Sequence, residues 1–214
     1  MSACETAHRW PCPLLEHTCN MAITELALLR LSGKETLATM RPFLQRIKDV
    51  TEAWTRRPGT VRYFQQADDA RAIYLVGQWT SLSEHMDGFI PSAGNQALLQ
   101  EGAGRFAIEA FLHFEAVMPR GDLGTGVCVV RNFCKLGARE AGSGQAMEKA
   151  AELISGHTSP VAGWRVDVPE HEAMEEFVIC GWPADGTDHL RRYHDAVEGW
   201  VDRIEAKHAI EIRV

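Results

Sequence analysis

The sequence predicts an α+β fold in which one β-α-β-β-α-β unit is used twice. Two observations carry this expectation: five segments recur in the same order along the chain, and the apolar pattern between them alternates between strand and helix periods identically in each half. Gly59 opens GTVRYF and Gly163 opens GWRVDV, 104 residues on. AIYLVGQW, ending at Trp79, is answered at a spacing of 103 by EEFVICGW, ending at Trp182, and Glu84-His85 is answered at 104 by Asp188-His189. ITELALLRL from Ile23 finds GVCVVRNF from Gly126, and FLHFEAV, containing His113, finds KHAIEIRV, containing His208, at a spacing of 95. Five collinear matches read as a tandem duplication.

The two copies are residues 22–118 and 126–214, joined by a Gly-rich linker at 119–125 and preceded by residues 1–21, which read as a loosely ordered leader. In the first copy, residues 22–31 are a nearly unbroken apolar run, the pattern of a strand covered on both faces. Residues 34–56 place Leu37, Met40, Leu44, Ile47 and Trp54 at helical spacing, with Pro42 expected to delay or kink the start. Strands follow at 60–66 and 72–79, then an irregular helical stretch at 83–104 broken by Pro91 and several glycines, then a strand at 107–117. The second copy reads as strand 126–134, helix 144–155, strands 162–168 and 175–182, helix 187–206 and strand 208–214.

That order is the ferredoxin-like unit, a four-stranded sheet with two helices on one face. Its other face is apolar, and leaving it in water costs about 25 cal/mol per Å². A second copy covers it, so two sheets facing each other are expected to make a barrel with helices outside.

Composition limits the partners. The chain has 214 residues, 45% of them hydrophobic, and a net charge of -7 with its 22 basic residues scattered, which argues against nucleic acid or an anionic membrane surface. No apolar run reaches the ~20 residues of a membrane span, and the N-terminus lacks a basic start followed by an apolar stretch. Cys4, Cys12, Cys19, Cys128, Cys134 and Cys180 form no C-x-x-C pair. A cytoplasmic protein with reduced thiols is expected. The glycines of the linker precede a strand, whereas a dinucleotide or phosphate loop follows one. His189 and His194 stand five apart, about 140° around a helix, which does not suit one metal ion. Haem would need an axial ligand that the sequence does not pick out. No cofactor and no metal are therefore expected.

GQWTSLSEH, then FIPSAGNQALL, then a strand ending in LHF together resemble the dimeric α/β-barrel superfamily in a fused, two-copy form, and within it fungal proteins of the antibiotic-biosynthesis-monooxygenase-like branch. The resemblance spans roughly residues 22–214 and is strongest at 77–114. It implies tandem ferredoxin-like halves forming an intramolecular dimeric α/β-barrel, a pseudo-dimer within one chain that leaves a homodimer open. The superfamily includes cofactor-free monooxygenases, cyclases, decarboxylases, isomerases, haem enzymes and proteins without known catalysis, so chemistry has to come from the residues.

Histidine titrates nearest neutrality and is the natural proton-transfer candidate. His85 and His189 each follow a carboxylate at a strand-to-helix passage. That pattern suits either catalysis or a helix N-terminal acid with a histidine behind it. His113 shares a strand face with Glu109, Phe111 and Glu115, so it is either a base held in one tautomer by Glu109 or Glu115 or a cross-strand polar pair. Its counterpart His208 begins an apolar set, so the copies have diverged. His113 and His85 are the catalytic candidates, in the first copy. Tyr63, Tyr74, Trp79, Asn95 and Trp54 are the substrate-binding candidates; Asn95 takes the place where cyclases of the superfamily carry their histidine. Against this stands the ordinary role of large aromatics at strand ends as core. The expected function is cofactor-independent acid-base catalysis on a hydrophobic aromatic or polyketide-like small molecule, by cyclisation, isomerisation or decarboxylation. The alternatives are a cofactor-free monooxygenase and a non-catalytic binding barrel.

Overall fold

The computed structural model describes residues 22–118, 126–154, 160–168, 175–181 and 186–214. The leader with its three cysteines, the linker, His157, His171 and Trp182 lie outside the described residues. In chain order the elements are β1 (Ile23–Leu31), α1 (Leu37–Thr55), β2 (Val61–Gln66), β3 (Ala72–Trp79), a π-helical turn (Glu84–Phe89), α2 (Ala93–Gly102) and β4 (Phe106–Phe114). Then come β5 (Gly126–Cys134), α3 (Ser143–Ile154), β6 (Val161–Trp164), β7 (Glu175–Gly181), α4 (Gly186–Val197) and β8 (Val201–Ile212). Among the described residues no helix is long and apolar enough to cross a membrane.

The strands form one antiparallel eight-stranded sheet in the order β4-β1-β3-β2-β8-β5-β7-β6, which matches the dimeric α/β-barrel fold. The two quartets are thus joined edge to edge through β2 and β8 rather than stacked as separate sheets. Pairing satisfies backbone groups that two free edges would leave open. Curvature brings the remaining edges together as well: Phe114 bridges Arg165, the Glu115 amide donates to the Trp164 carbonyl at 2.8 Å, and the Val166 amide to the His113 carbonyl at 2.9 Å. At this seam a Cβ on Gly163 would stand 2.1 Å from the Glu115 carbonyl oxygen, so only glycine lets the two backbones meet.

Alternation along each strand then sorts the core into layers. Leu26, Phe64, Val76, Leu112, Val129 and Phe177, drawn from both halves, fill the barrel. Outside it, Leu29, Ile73 and Tyr63 pack against Phe43 and Leu44 of α1 and Leu98 of α2, while Val130 and Val178 pack against Met147 of α3 and Tyr193 and Val197 of α4. Helix α1 begins at a Thr36 cap whose side chain accepts from the Thr39 amide, and it continues through Pro42.

The registers define which positions correspond. Glu25 lies opposite Gly77 on β3 and His113 on β4; Cys128 lies opposite Cys180 on β7 and His208 on β8. One expected match is displaced. Arg62 pairs with Val76 and Val161 with Ile179, so β6 stands to β2 at a spacing of 99, and Gly163 takes the place of Phe64 rather than that of Gly59. The cause is the connection after β6, residues 165–174, which is longer than the one after β2, residues 67–71.

A second expectation fails at the last helix, which ends at Val197 and not near 206. Trp200 closes a turn by donating its amide to the Val197 carbonyl at 2.8 Å, and Val201 and Ile204 belong to β8. There they pair with Cys134 and Asn132. The far half of β5 would otherwise have no partner on that side.

Candidate active site

The site begins with one acidic residue in an apolar strand. Glu25 on β1 has Ile23, Leu26 and Ala27 as buried neighbours and is itself only 6% exposed. Its carboxyl lies over Gly77, where a Cβ would come within 2.6 Å of Oε2; glycine there makes the space. The Trp79 indole Nε1 donates to the same oxygen at 3.0 Å.

The π-helical turn supplies His85. Its widened backbone, with the Ile90 amide donating to the His85 carbonyl at 2.9 Å, turns the imidazole onto the sheet. Glu84 anchors the turn by accepting from the Thr80 amide at 2.5 Å and pairing with Arg57 at 2.7 Å. The His85 ring stacks on Trp79, centroids 4.0 Å apart and planes 10° from parallel. Its Nδ1 lies 2.8 Å from His113 Nε2, and its Nε2 lies 3.5 Å from Glu25 Oε2. Both histidines are 1% exposed.

His113 is oriented from across the barrel seam. Its Nδ1 is 3.1 Å from Asp167 Oδ2, an oxygen that also accepts from the His113 backbone amide at 3.2 Å. Arg165 Nε donates to Asp167 Oδ1 at 2.6 Å. Glu109 and Glu115, the expected orienting residues, are engaged elsewhere, Glu109 with Arg30 at 3.0 Å and Glu115 with Arg139 at 3.5 Å. A bulge opposite Leu28 and Leu29 takes Glu109 out of the alternation that would put it on the face of His113, and Asp167, reaching across the seam, meets His113 in place of Glu115. Arg165, Asp167, His113, His85, Glu25 and Trp79 thus form a continuous polar line.

Burial sets the protonation of this line. It lifts the Glu25 carboxyl to about 7, against the opposing pull of the Trp79 hydrogen bond and of charge on His113. Burial, then charge on His113, drops His85 to about 3, so its ring is neutral at pH 7 and its contact with Glu25 is no ion pair. Burial pushes Asp167 upward, but hydrogen bonds from His113 and Arg165 outweigh it and hold this carboxyl below its ordinary range. The line therefore ends in a firm carboxylate on one side and a carboxyl that changes charge near neutrality on the other.

The other expected residues fall in different places. Trp54, 39% exposed, meets Trp79 and Phe89 edge-on at 6.2 and 5.6 Å and walls the site. Asn95 donates to the Ile90 carbonyl at 2.9 Å, tying α2 to the π-helical turn. Tyr63 shares the sheet face of Glu25, but its hydroxyl donates to the Leu44 carbonyl at 2.8 Å. Tyr74 points to the opposite side, into the barrel, where its hydroxyl accepts from Gln66 at 2.9 Å. In the second half, His189 donates from Nδ1 to the Leu153 carbonyl at 2.7 Å, and Cys128 stands where the first half has Glu25. Among the described residues no group of three or more His, Cys, Asp and Glu side chains is arranged to hold a metal ion.

A cleft of about 370 Å³ opens at the barrel mouth beside this line, bordered by Arg57, Thr60, Val76, Gln78, Trp79 and Met118. Trp79 is common to both: it is one of the residues bordering the cleft, and its Nε1 holds Glu25.

No family model matches the chain, and no curated protein matches it. Solved structures do, over nearly its whole length. A candidate monooxygenase from Lactobacillus acidophilus NCFM aligns with a TM-score of 0.60 at 12% identity, covering 89% of this chain and 94% of that one. An anthrone oxidase-like protein aligns with a TM-score of 0.59 at 10% identity, covering 91% and 92%. A candidate chlorite dismutase aligns with a TM-score of 0.61 at 8% identity, covering 91% and 96%. At such identities the likeness is one of fold alone.

Proposed function

We propose that this protein is a cofactor-independent acid-base enzyme that removes a proton from a flat aromatic or polyketide-like small molecule, leading to cyclisation, isomerisation or decarboxylation. The observation that carries the reading is Glu25: a buried carboxyl at the end of a two-histidine line, with its proton affinity raised to near neutrality. A base poised at working pH transfers protons best. Glu25 takes the proton, and His85 and His113 behind it pass it on. Trp79, which borders the barrel-mouth cleft and holds Glu25, connects the cleft to the base, with Trp54 as an apolar wall. Cys128 in the matching position leaves the second half without this base. The same reading takes the chain as a tandem of ferredoxin-like halves, supported by the equivalent pairings of Glu25 and Cys128.

A carbanion formed by Glu25 can also react with oxygen. Oxygenation is therefore the second reading, favoured by the fold shared with an anthrone oxidase-like protein and a candidate monooxygenase.

The test is anaerobic deuterium exchange into anthrone-type and β-polyketone carbon acids, followed by NMR, with wild type and Glu25→Gln. Wild type should accelerate exchange, and Glu25→Gln should lose about 10²-fold or more while remaining folded. No acceleration by wild type, or equal rates in both, sinks the acid-base reading and leaves the non-catalytic barrel. Oxygen uptake with the same compounds separates the second reading from the first.

A further inference from the structure

We propose that Asp167, contributed by the second half of the chain, is a positioning residue that holds His113 with Nε2 turned toward His85 and so fixes the direction in which a proton travels along the line. The catalytic part of this rests on the acid-base reading above; the geometric part does not.

An ionised carboxylate only accepts hydrogen bonds, so Asp167 Oδ2 at 3.1 Å requires a proton on His113 Nδ1. Whenever that ring is neutral its Nε2 carries a lone pair, and at 2.8 Å it takes the proton of His85 Nδ1. That leaves His85 Nε2 bare and facing Glu25 Oε2 at 3.5 Å, so a hydrogen bond closing this gap takes its proton from Glu25. One carboxylate thus sets two tautomers and the proton of a third group, 54 residues away in sequence from the histidine it touches.

The arrangement allows a balanced transfer. Glu25 gives its proton to His85 Nε2 as His85 Nδ1 gives its own to His113 Nε2. The products are the Glu25 carboxylate and a His113 imidazolium paired with Asp167. One O–H and one N–H bond break, two N–H bonds form, and the total charge of the buried group is unchanged. Asp167 makes this state accessible by facing the imidazolium with a full negative charge. The groups facing Glu25 are Trp79, His85, His113 opposite it in register, and Tyr63 on the same sheet face. Those facing His113 are His85, Asp167 and Glu25, while Arg165 faces Asp167.

The experiment uses the full chain, labelled at histidine nitrogens and glutamate carboxyls, titrated by NMR without substrate. In wild type His113 should show the Nδ1-protonated tautomer. In Asp167→Asn the Glu25 midpoint should rise by about one unit, because the imidazolium state has lost its counter-charge. Asp167→Glu should recover most of that shift. A folded Asp167→Asn variant with an unmoved Glu25 midpoint overturns the proposal and leaves Asp167 as a structural seam residue. If Asp167→Asn fails to fold, the wild-type spectrum decides, since an Nε2-protonated neutral His113 would equally overturn it. Failure of deuterium exchange would sink the enzymatic reading but leave this titration interpretable.

Discussion

Gly77→Ala is the sharpest probe of the site's construction. The added Cβ lands 2.6 Å from Glu25 Oε2 and 3.1 Å from Trp79 Nε1, so ordinary contact at about 3.4 Å requires the carboxyl to retreat by about 0.8 Å. The retreat breaks the 3.0 Å hydrogen bond between the two. Overpacking of this kind costs about 1–3 kcal/mol and the lost bond about 1 kcal/mol, together about 2–4 kcal/mol. For a chain of this size that lowers Tm by about 5–15 °C. Thermal unfolding measures the loss, and indole fluorescence reports the altered surroundings of Trp79. The collision is with the Glu25 side chain, so Gly77→Ala should cost much less in a Glu25→Ala background, a coupling that a double-mutant cycle reads directly. A Tm within about 1 °C of wild type, or equal costs in both backgrounds, would refute the reasoning.

Three further outcomes are expected. Glu176, buried on β7 and contacted by Asn132 at 3.1 Å, is raised by burial to about 8, above its ordinary 4.5. The folded state then holds a proton that the unfolded chain has released, so this contribution is complete below about 4.5 and is lost as pH rises toward 8. Glu176→Gln should therefore flatten the fall in urea stability between about pH 4.5 and 8, and an unchanged slope would count against a buried neutral carboxyl. His85 acts with the opposite sign: its folded value near 3 lies below the ordinary 6.5, so its contribution is present above 6.5 and is lost as pH falls toward 3, and His85→Gln should improve relative stability in acid. Gly163→Ala places a Cβ 2.1 Å from a backbone oxygen that has nowhere to turn, so it should open the seam and cost more than Gly77→Ala in the same urea titration.

The sequence showed most of the element order because apolar period and Gly/Pro punctuation are local signals. It misled at α4, where Leu190, Tyr193 and Val197 continue at nearly helical spacing into Val201 and Ile204. Gly199 marked the break, but the need of β5 for a partner is a tertiary fact. The candidate site was legible to a similar degree. His85 and His113 stand out as polar residues in apolar segments, yet their contact depends on a π-helical turn that no spacing announces. Glu25 leaves a readable trace, a single acid in ITELALLRL, but an acid in a strand commonly faces solvent, so the pattern alone does not mark it. Asp167 left none, since its role exists only where β6 meets β4 across the seam.

The two seams carry an evolutionary consequence. At one, the Val166 amide reaches the His113 carbonyl with Asp167 following; at the other, the Ala67 amide reaches the His208 carbonyl at the same 2.9 Å, with Asp68 following. At the spacing of 99 that relates β2 to β6, Asp68 is the counterpart of Asp167. On the duplication reading, an ancestral homodimer would have set the acid of each subunit beside the histidine of the other, making two shared sites with neither subunit complete alone. On the same reading, fusion would have relaxed that obligation: Asp68 pairs with Lys207, and Glu25 has no acidic counterpart at Cys128. One ancestral surface would thereby have become free to change while the other kept its cross-barrel acid, an asymmetry that identical subunits cannot evolve.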